Sequence, residues 1–154
     1  MPNGWIEAFG DLLVEEINSV NPDIEILQIK EKFGSLRFYY APTSDEIDEI
    51  ISKYECLSAH ICASCGKPDV PQTKNGWIYP ICRDCYEKYI SSSLSYEEAT
   101  SSQNQMPDEY TTVRYAISGD EMKKIKYRYD ISADVRKIRA RWEERNGGNI
   151  AERS

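Results

Sequence analysis

Histidine is nearly absent from this chain of 154 residues, in which His60 is the only one. A nuclease built on a cysteine finger needs several histidines to bind its metal and to act as a base. A zinc deaminase needs an H-x-E sequence followed by P-C-x-x-C. Here His60 is followed by Ile61, and Pro80 does not directly precede Cys82. A glycine-rich phosphate-binding loop is missing as well, so we predict that the protein is not an enzyme.

Long apolar runs, a secretory signal and net positive charge are also missing. No stretch approaches the roughly 18 apolar residues of a membrane span. Residues 1–10 lack the basic region and apolar run of a signal peptide. We therefore expect a cytoplasmic protein without a membrane partner. The net charge of −7 argues against a globally basic nucleic-acid binder. The charge is uneven, however, at −8 over residues 1–60, −3 over 61–113 and +4 over 114–154.

Cysteine is the residue that carries most information. Two C-x-x-C pairs are separated by sixteen residues, and one further cysteine, Cys56, precedes them. Four thiolates grouped in this way form the closed tetrahedral set that structural zinc prefers. The spacing therefore predicts one structural Zn²⁺ as cofactor. Its predicted ligands are Cys62, Cys65, Cys82 and Cys85.

The residues around the cysteines predict a zinc finger over residues 61–90. Gly66 suits the tight turn of a metal-binding knuckle, and Asn75-Gly76 predicts a second turn. A short strand over 77–79 and a helix over 83–90 follow. The last two cysteines lie at the start of that helix. A knuckle, a hairpin and a helix in this order describe a treble-clef-like finger.

Three other interpretations of the cysteines remain open at this point. Two disulfides are conceivable, although a reducing cytoplasm favours a metal. A single C-x-x-C pair could be a redox centre, but the second pair would then need its own explanation. Cys56 and His60 are four residues apart on one predicted helix. They could join Cys62 in an alternative ligand set, although Cys56 is more simply a free thiol and His60 a surface residue or a neighbour of the metal ligands.

Residues 1–60 are predicted to form a unit with the order helix, strand, strand, helix in an α+β protein. Asn21-Pro22 ends the first helix. A turn over 32–35 separates the strands, and Thr43 with Glu46 forms a capping box at the second helix. Because a two-stranded hairpin alone is marginally stable, we expect the helices to cover it. The apolar pattern consists of Trp5, Ile6, Phe9, Leu12, Leu13, Ile17, Val20, Ile24, Ile26, Leu27, Ile29, Leu36, Phe38, Tyr40, Ile47, Ile50, Ile51, Tyr54 and Leu57.

Four residues of the turn and second strand are predicted to be structural rather than to bind a ligand. Leu36, Phe38 and Tyr40 occupy alternate positions of the strand and so project to one face. Phe33, in the turn, is included with them. The expectation is that this face lies in the core.

Several motifs in residues 3–90 together resemble one family of small zinc-binding proteins from bacteriophages and bacterial genomes. They are Gly4-Trp5, the block I-K-E-K-F-G-S-L-R-F-Y-Y over residues 29–40, C-A-S-C-G over 62–66, Gly76-Trp77 and the second C-x-x-C pair. The resemblance implies a phage or prophage setting and a bound zinc, but no activity. Cys85 in the last position favours an all-cysteine site. If the chain is phage-encoded, its location would be the host cytoplasm.

The remaining chain divides into a linker and a C-terminal unit. Residues 91–110 are rich in Ser, Glu, Gln and Thr, which predicts a mobile linker. In residues 111–154, alternation over 113–117 and 125–131 predicts two strands. A helix starting at Ser118, with Glu121 in a capping box, is the alternative. A final helix, capped by Ser132 and ending at Gly147-Gly148, carries an apolar stripe and a basic face. The stripe is Ile131, Val135, Ile138 and Trp142, and the basic residues are Arg136, Lys137, Arg139, Arg141 and Arg145.

The predicted function is binding rather than catalysis. The leading hypothesis is a zinc-stabilised phage or prophage protein that binds a protein partner, either a host protein that it inhibits or modulates or a second copy of itself. The alternative is a nucleic-acid-binding regulator that uses the finger and the basic final helix. The ordinary explanation of that helix is a solvated basic face whose stripe packs on its own chain. Docking of the basic face on the acidic N-terminal half is a further option.

Overall fold

Helices and strands are mixed along the chain, and the strands form two separate two-stranded sheets. The computed structural model describes residues 1–74, 76–90 and 92–153, the last seven of these by backbone alone. The predicted turn residue Asn75 and the first linker residue, Ser91, lie outside the described residues. The elements are α1 (Asn3–Trp5), a π-helical turn (Ile6–Gly10), α2 (Asp11–Val20), β1 (Glu25–Lys32), β2 (Ser35–Ala41), α3 (Asp45–Ser58), α4 (Arg83–Tyr89), α5 (Tyr96–Ala99), β3 (Glu109–Ser118), β4 (Glu121–Asp130) and α6 (Ser132–Arg153).

The N-terminal helical segment buries most of the predicted apolar stripe. α2 ends at Val20, where Pro22 prevents a further helical turn. Ile6 and Val20, which the stripe included, are exposed because they point away from the buried side of the helix. The buried members are Trp5, Phe9, Leu12, Leu13 and Ile17.

Strands β1 and β2 pair in antiparallel register around a two-residue turn. Phe33 and Gly34 have φ values of 52° and 83°, as a type I′ turn requires at both positions. Leu36, Phe38 and Tyr40 are buried, as predicted. The same prediction is wrong for Phe33, whose ring is exposed. Its position in the turn lies beyond the pleated strand, so alternation does not govern its direction.

Helix α3 begins one residue later than the predicted capping box implies. The capping residue is Ser44, whose Oγ accepts a hydrogen bond from the Ile47 N–H at 3.5 Å, and not Thr43. The Tyr40 hydroxyl fixes this choice because it accepts a hydrogen bond from the Ser44 N–H at 3.0 Å and donates to Asp48 at 2.5 Å. The predicted stripe of the helix is confirmed for Ile47, Ile51, Tyr54 and Leu57, which are buried, whereas its fifth member, Ile50, is only partly buried.

The segment predicted to be a mobile linker makes specific contacts in its described part. Met106 is buried, and its N–H donates to Asp69 Oδ1 at 2.9 Å. Helix α5 lies within the segment, and the Tyr96 hydroxyl donates to the Ile81 carbonyl at 2.7 Å. The polar composition of residues 91–110 does not reveal these contacts, because a few anchoring side chains are enough to hold a short segment in place.

The C-terminal region consists of a β-ribbon followed by the long helix α6. Strands β3 and β4 pair over ten positions, so the strand prediction is confirmed and the alternative helix at Ser118 is wrong. α6 continues to Arg153, so the predicted stop at Gly147-Gly148 is wrong too. Glycine lowers helix propensity by about 1 kcal/mol but does not forbid a helix.

Helix α6 completes the core of the N-terminal region. Ile131, Val135 and Ile138 belong to the same buried cluster as Trp5 and Leu36. Trp142, predicted to be buried with them, is only half-buried. Across the described part of the chain, none of the helices is both long and apolar enough to cross a membrane.

Candidate metal centre

The structure brings the four predicted cysteines together. The sulfur atoms of Cys62, Cys65, Cys82 and Cys85 all lie within 4.8 Å of one another. The sulfurs of Cys65 and Cys82 are 3.7 Å apart. A zinc–sulfur tetrahedron with bonds of about 2.3 Å has sulfur–sulfur edges of roughly 3.8 Å. The arrangement therefore fits a single tetrahedral metal ion after small side-chain adjustments.

Backbone hydrogen bonds shape the first cysteine pair into a turn. The Gly66 N–H donates to the Cys62 carbonyl at 2.8 Å, and the Cys62 N–H donates to the Lys67 carbonyl at 2.8 Å. Gly66 has a φ of +86°, a conformation that an L side chain rarely adopts. The predicted turn at Gly66 is thus confirmed, and it aims both sulfurs of the pair to the same side.

The second pair lies at the start of helix α4, as the sequence indicates. Cys82 is the N-terminal capping residue, and its Sγ accepts a hydrogen bond from the Cys85 N–H at 3.4 Å. One helical turn brings Cys85 beneath Cys82, so both sulfurs face the first pair. The short strand predicted over 77–79 is wrong. Isolated bridges, such as that between Gln72 and Pro80, replace it.

The four thiols perturb one another strongly because they are close and largely buried. Hydrogen bonds from Cys65 and Cys82 hold the pKa of Cys62 below its ordinary value. Hydrogen bonds with Cys62 and Cys82 raise the pKa of Cys65. Burial, followed by the charge on Cys62, raises the pKa of Cys85 to about 12. One thiolate is favoured and further ones are resisted, so a divalent cation would relieve the repulsion among four thiolates.

Cys56 and His60 do not belong to the cluster. All five cysteines are free thiols, and the group of four leaves Cys56 out. Burial raises the pKa of the Cys56 thiol. Burial also lowers the pKa of His60, against an opposing effect of the Asp69 carboxylate. The alternative ligand set of Cys56, His60 and Cys62 is therefore not assembled.

The contacts that hold the turn of the first cysteine pair against the N-terminal helix could not be predicted from the sequence. The Gly4 N–H donates to the Ala63 carbonyl at 2.9 Å, and the Trp5 indole N–H donates to the Ile61 carbonyl at 2.9 Å. A Cβ on Gly4 would overlap the Cys62 carbonyl oxygen and lie 2.6 Å from the Gly66 nitrogen. The Gly4-Trp5 pair, noted only as a motif, thus holds the N-terminal helix directly against the cysteine turn.

Replacing Gly4 by alanine should destabilise the protein because the new methyl group would meet backbone atoms that cannot move independently. We expect a loss of about 1–3 kcal/mol, typical of overpacking, measured by urea unfolding of the zinc-loaded protein. Gly10→Ala is the matched control, since a Cβ there meets its nearest neighbour at 3.5 Å. Equal stability of the two variants would contradict the proposed close packing of Gly4.

The cations of helix α6 mostly contact this chain itself. Arg139 forms two hydrogen bonds to the Asp69 carboxylate, at 2.7 and 2.8 Å. Arg141 pairs with Asp11 at 2.7 Å, and Arg145 donates to a backbone carbonyl. Burial alone would raise the pKa of Asp69, but the hydrogen bonds from Arg139 and from the Met106 N–H hold it below its ordinary value. Two residues of the basic face, Arg139 and Arg141, therefore contact acidic groups of the same chain.

In comparisons with known proteins, no protein-family model, curated protein or solved structure matches the chain. A fold does not by itself determine a function, which resides in particular sites. The cysteine cluster and the exposed surfaces are therefore the features from which function is inferred.

Proposed function

We propose that Cys62, Cys65, Cys82 and Cys85 bind one Zn²⁺ and that the ion is structural. The observation that carries this proposal is the closed group of four sulfurs within 4.8 Å of one another. Four thiolates complete a zinc tetrahedron and leave no position for water or substrate. Together with helix α4, the cysteine turns then form a treble-clef-like finger.

The protein, we further propose, is not an enzyme and acts by binding another protein. The motif resemblance suggests a phage or prophage setting, in which the partner would be a host protein that is inhibited or modulated in the host cytoplasm. A structural metal supplies no reactive water. The function then depends on an exposed surface that can bury apolar area against a partner.

The outer part of the β3–β4 ribbon offers such a surface. In antiparallel register, Tyr115 lies opposite Lys124 and Ile117 opposite Met122, so all four share one face. Tyr115, Ile117 and Met122 are 64%, 75% and 68% exposed. Large apolar side chains grouped on a surface are typical of interaction sites. The neighbouring lysines favour a partner surface that carries carboxylates.

The nucleic-acid alternative depends on the finger and the basic final helix, and two arginines of that helix already have carboxylate partners. Arg139 and Arg141 are paired with Asp69 and Asp11. Phosphates would have to displace these carboxylates, which weakens the contribution of Arg139 and Arg141 to phosphate binding. Protein binding is therefore the function that the contacts favour.

Affinity capture with purified zinc-loaded protein tests the proposal. We expect a specific host protein to be retained by the wild type and lost with Tyr115→Ser/Ile117→Ser. The two exposed side chains contribute binding but little stability. Trp77→Ala, which removes an exposed apolar side chain elsewhere, should retain the same protein. Identical capture by the wild type and the ribbon variant would contradict this surface. A shift of duplex DNA at about 0.15 M salt would instead favour the alternative.

A further inference from the structure

The outward face of the β1–β2 hairpin concentrates positive charge in an otherwise acidic region. Residues 1–60 contain four Lys and Arg residues against twelve Asp and Glu residues. Three of the four cations, Lys30, Lys32 and Arg37, share this face, where Lys30 lies opposite Arg37. The other positions of the face are Gln28, Ser35 and Tyr39 and, at the end far from the turn, Ala41 with Glu25 opposite it, so Glu25 is the one carboxylate among them.

Exposed aromatic rings accompany these cations. Phe33 at the hairpin tip is 68% exposed and Trp77 is 75% exposed. Both line one cleft of about 420 Å³ together with Glu31, Lys32 and Ile78. The Glu31 carboxylate is engaged by the Gly34 N–H, which donates to it at 2.8 Å. The Lys32 ammonium lies 5.5 Å from the centre of the Phe33 ring. On the adjoining strand face, the Lys30 ammonium lies 5.8 Å from the exposed ring of Tyr39.

The finger holds this arrangement in place. The Gln72 side-chain amide donates to the Gly34 carbonyl at 3.0 Å and so ties the hairpin tip to the loop that carries Trp77. A Cβ on Gly34 would lie 2.5 Å from that amide nitrogen. The close approach brings Trp77 beside Phe33 across two segments that are distant in sequence.

The fold itself does not account for the ring of Phe33. A residue with φ near +52° occupies a region that disfavours bulky side chains, and asparagine or glycine is the usual choice in a type I′ turn. Burial in the core could offset such a cost, but this ring is exposed to solvent. Residues whose strained backbone conformation is not offset by packing in the core are concentrated at functional sites.

We infer that this face binds single-stranded nucleic acid, a function beyond the protein binding proposed above. Bases stack on Phe33, Trp77 and Tyr39, while the lysines contact the phosphates. Aromatic platforms interleaved with cations are the common device of proteins that bind single strands. We call the surface formed by Lys30, Lys32, Phe33, Tyr39 and Trp77 the hairpin platform.

The overall negative charge does not prevent binding to the hairpin platform. At physiological ionic strength the Debye length is about 8 Å, so exposed carboxylates elsewhere on the surface are largely screened from a strand on the platform. Arg37 is partly engaged with Glu55 at 3.5 Å, which leaves Lys30 and Lys32 as the main phosphate contacts. The base faces in a duplex are stacked on one another and inaccessible, so the aromatic rings of the platform can stack only on the bases of an unpaired strand.

Fluorescence anisotropy of the zinc-loaded full chain tests the inference. The probes are fluorescein-labelled oligothymidylate and oligouridylate of about 12 nucleotides, and a DNA duplex of the same length. We expect both single strands to bind more tightly than the duplex at about 50 mM salt. Phe33→Asn and Trp77→Ala should each weaken binding on the order of 10-fold, the equivalent of one stacked base. Phe33→Asn keeps a residue suited to the turn, so the hairpin should still fold.

The lysines provide an independent readout through the salt dependence. Lys30→Ala/Lys32→Ala should lower the slope of log affinity against log salt by about 0.7 for each phosphate that is no longer neutralised. Tyr115→Ala/Lys124→Ala, on the β3–β4 ribbon, is the matched control and should leave affinity and slope unchanged.

The inference fails if neither single strand binds, or if binding survives removal of both rings. It also fails if polyglutamate competes as well as unlabelled oligothymidylate, an outcome that would assign the face to an acidic protein segment.

Discussion

Replacing Cys82 by serine should release the metal and unfold the finger. One ligand of four is removed, and the remaining thiolates are left without the cation that offsets their mutual repulsion. Structural zinc contributes on the order of 10 kcal/mol to isolated finger folds, so this is the largest expected effect. Elemental analysis should show one zinc ion per chain in the wild type and a large deficit in the variant. Circular dichroism should show a decrease in ordered structure, as it should after treatment of the wild type with a strong chelator.

The neighbouring residues supply controls for the ligand assignment. Cys56→Ser and His60→Ala should both retain full zinc content, because the cluster of four sulfurs excludes them. Loss of zinc from His60→Ala would show that the ligand set is wrong. A wild type that contains no metal and whose four finger cysteines are paired as disulfides would contradict the zinc proposal altogether.

Replacing Phe38 by alanine should cost about 3–5 kcal/mol of folding free energy, because the ring lies in the core and leaves a cavity. For a protein of this size the melting temperature should fall on the order of 10 °C. Differential scanning calorimetry of the zinc-loaded protein provides the measurement.

Phe33→Ala is the matched control, since it removes the same ring from the same hairpin at an exposed position. Its melting temperature should change little. If Phe38→Ala kept the wild-type melting temperature while a binding activity disappeared, the inner strand face would be an interaction surface rather than core.

Local sequence patterns predicted the elements whose signals are strong. The paired cysteine spacing identified the cluster, and alternation located the buried residues Leu36 and Phe38. Period-two patterns also favoured β3 and β4 over a helix, because tyrosine and isoleucine suit a pleated surface. In each of these cases the residue type and its spacing both follow from contacts within one element or one motif.

Features that depend on tertiary contacts could not be predicted in the same way. Ser44 rather than Thr43 caps α3 because Tyr40, on another element, contacts it. Met106 is anchored by Asp69, which is 37 residues away in sequence. Phe33 is exposed because of its position in the turn, whereas its apolar side chain led to the expectation that it is buried. None of these contacts leaves a periodic signal in the sequence.

The place of helix α6 in the core has a consequence for synthesis on the ribosome. Ile131, Val135 and Ile138 pack with residues of the first helices, so the nascent chain carries an incomplete core until helix α6 emerges. Domains generally fold as units during synthesis, and incomplete ones expose apolar surface to aggregation and chaperones. Contacts between such distant segments also slow folding. Nascent chains arrested before α6 should therefore remain bound to chaperones and sensitive to protease, whereas chains that include α6 should acquire resistance in a single step.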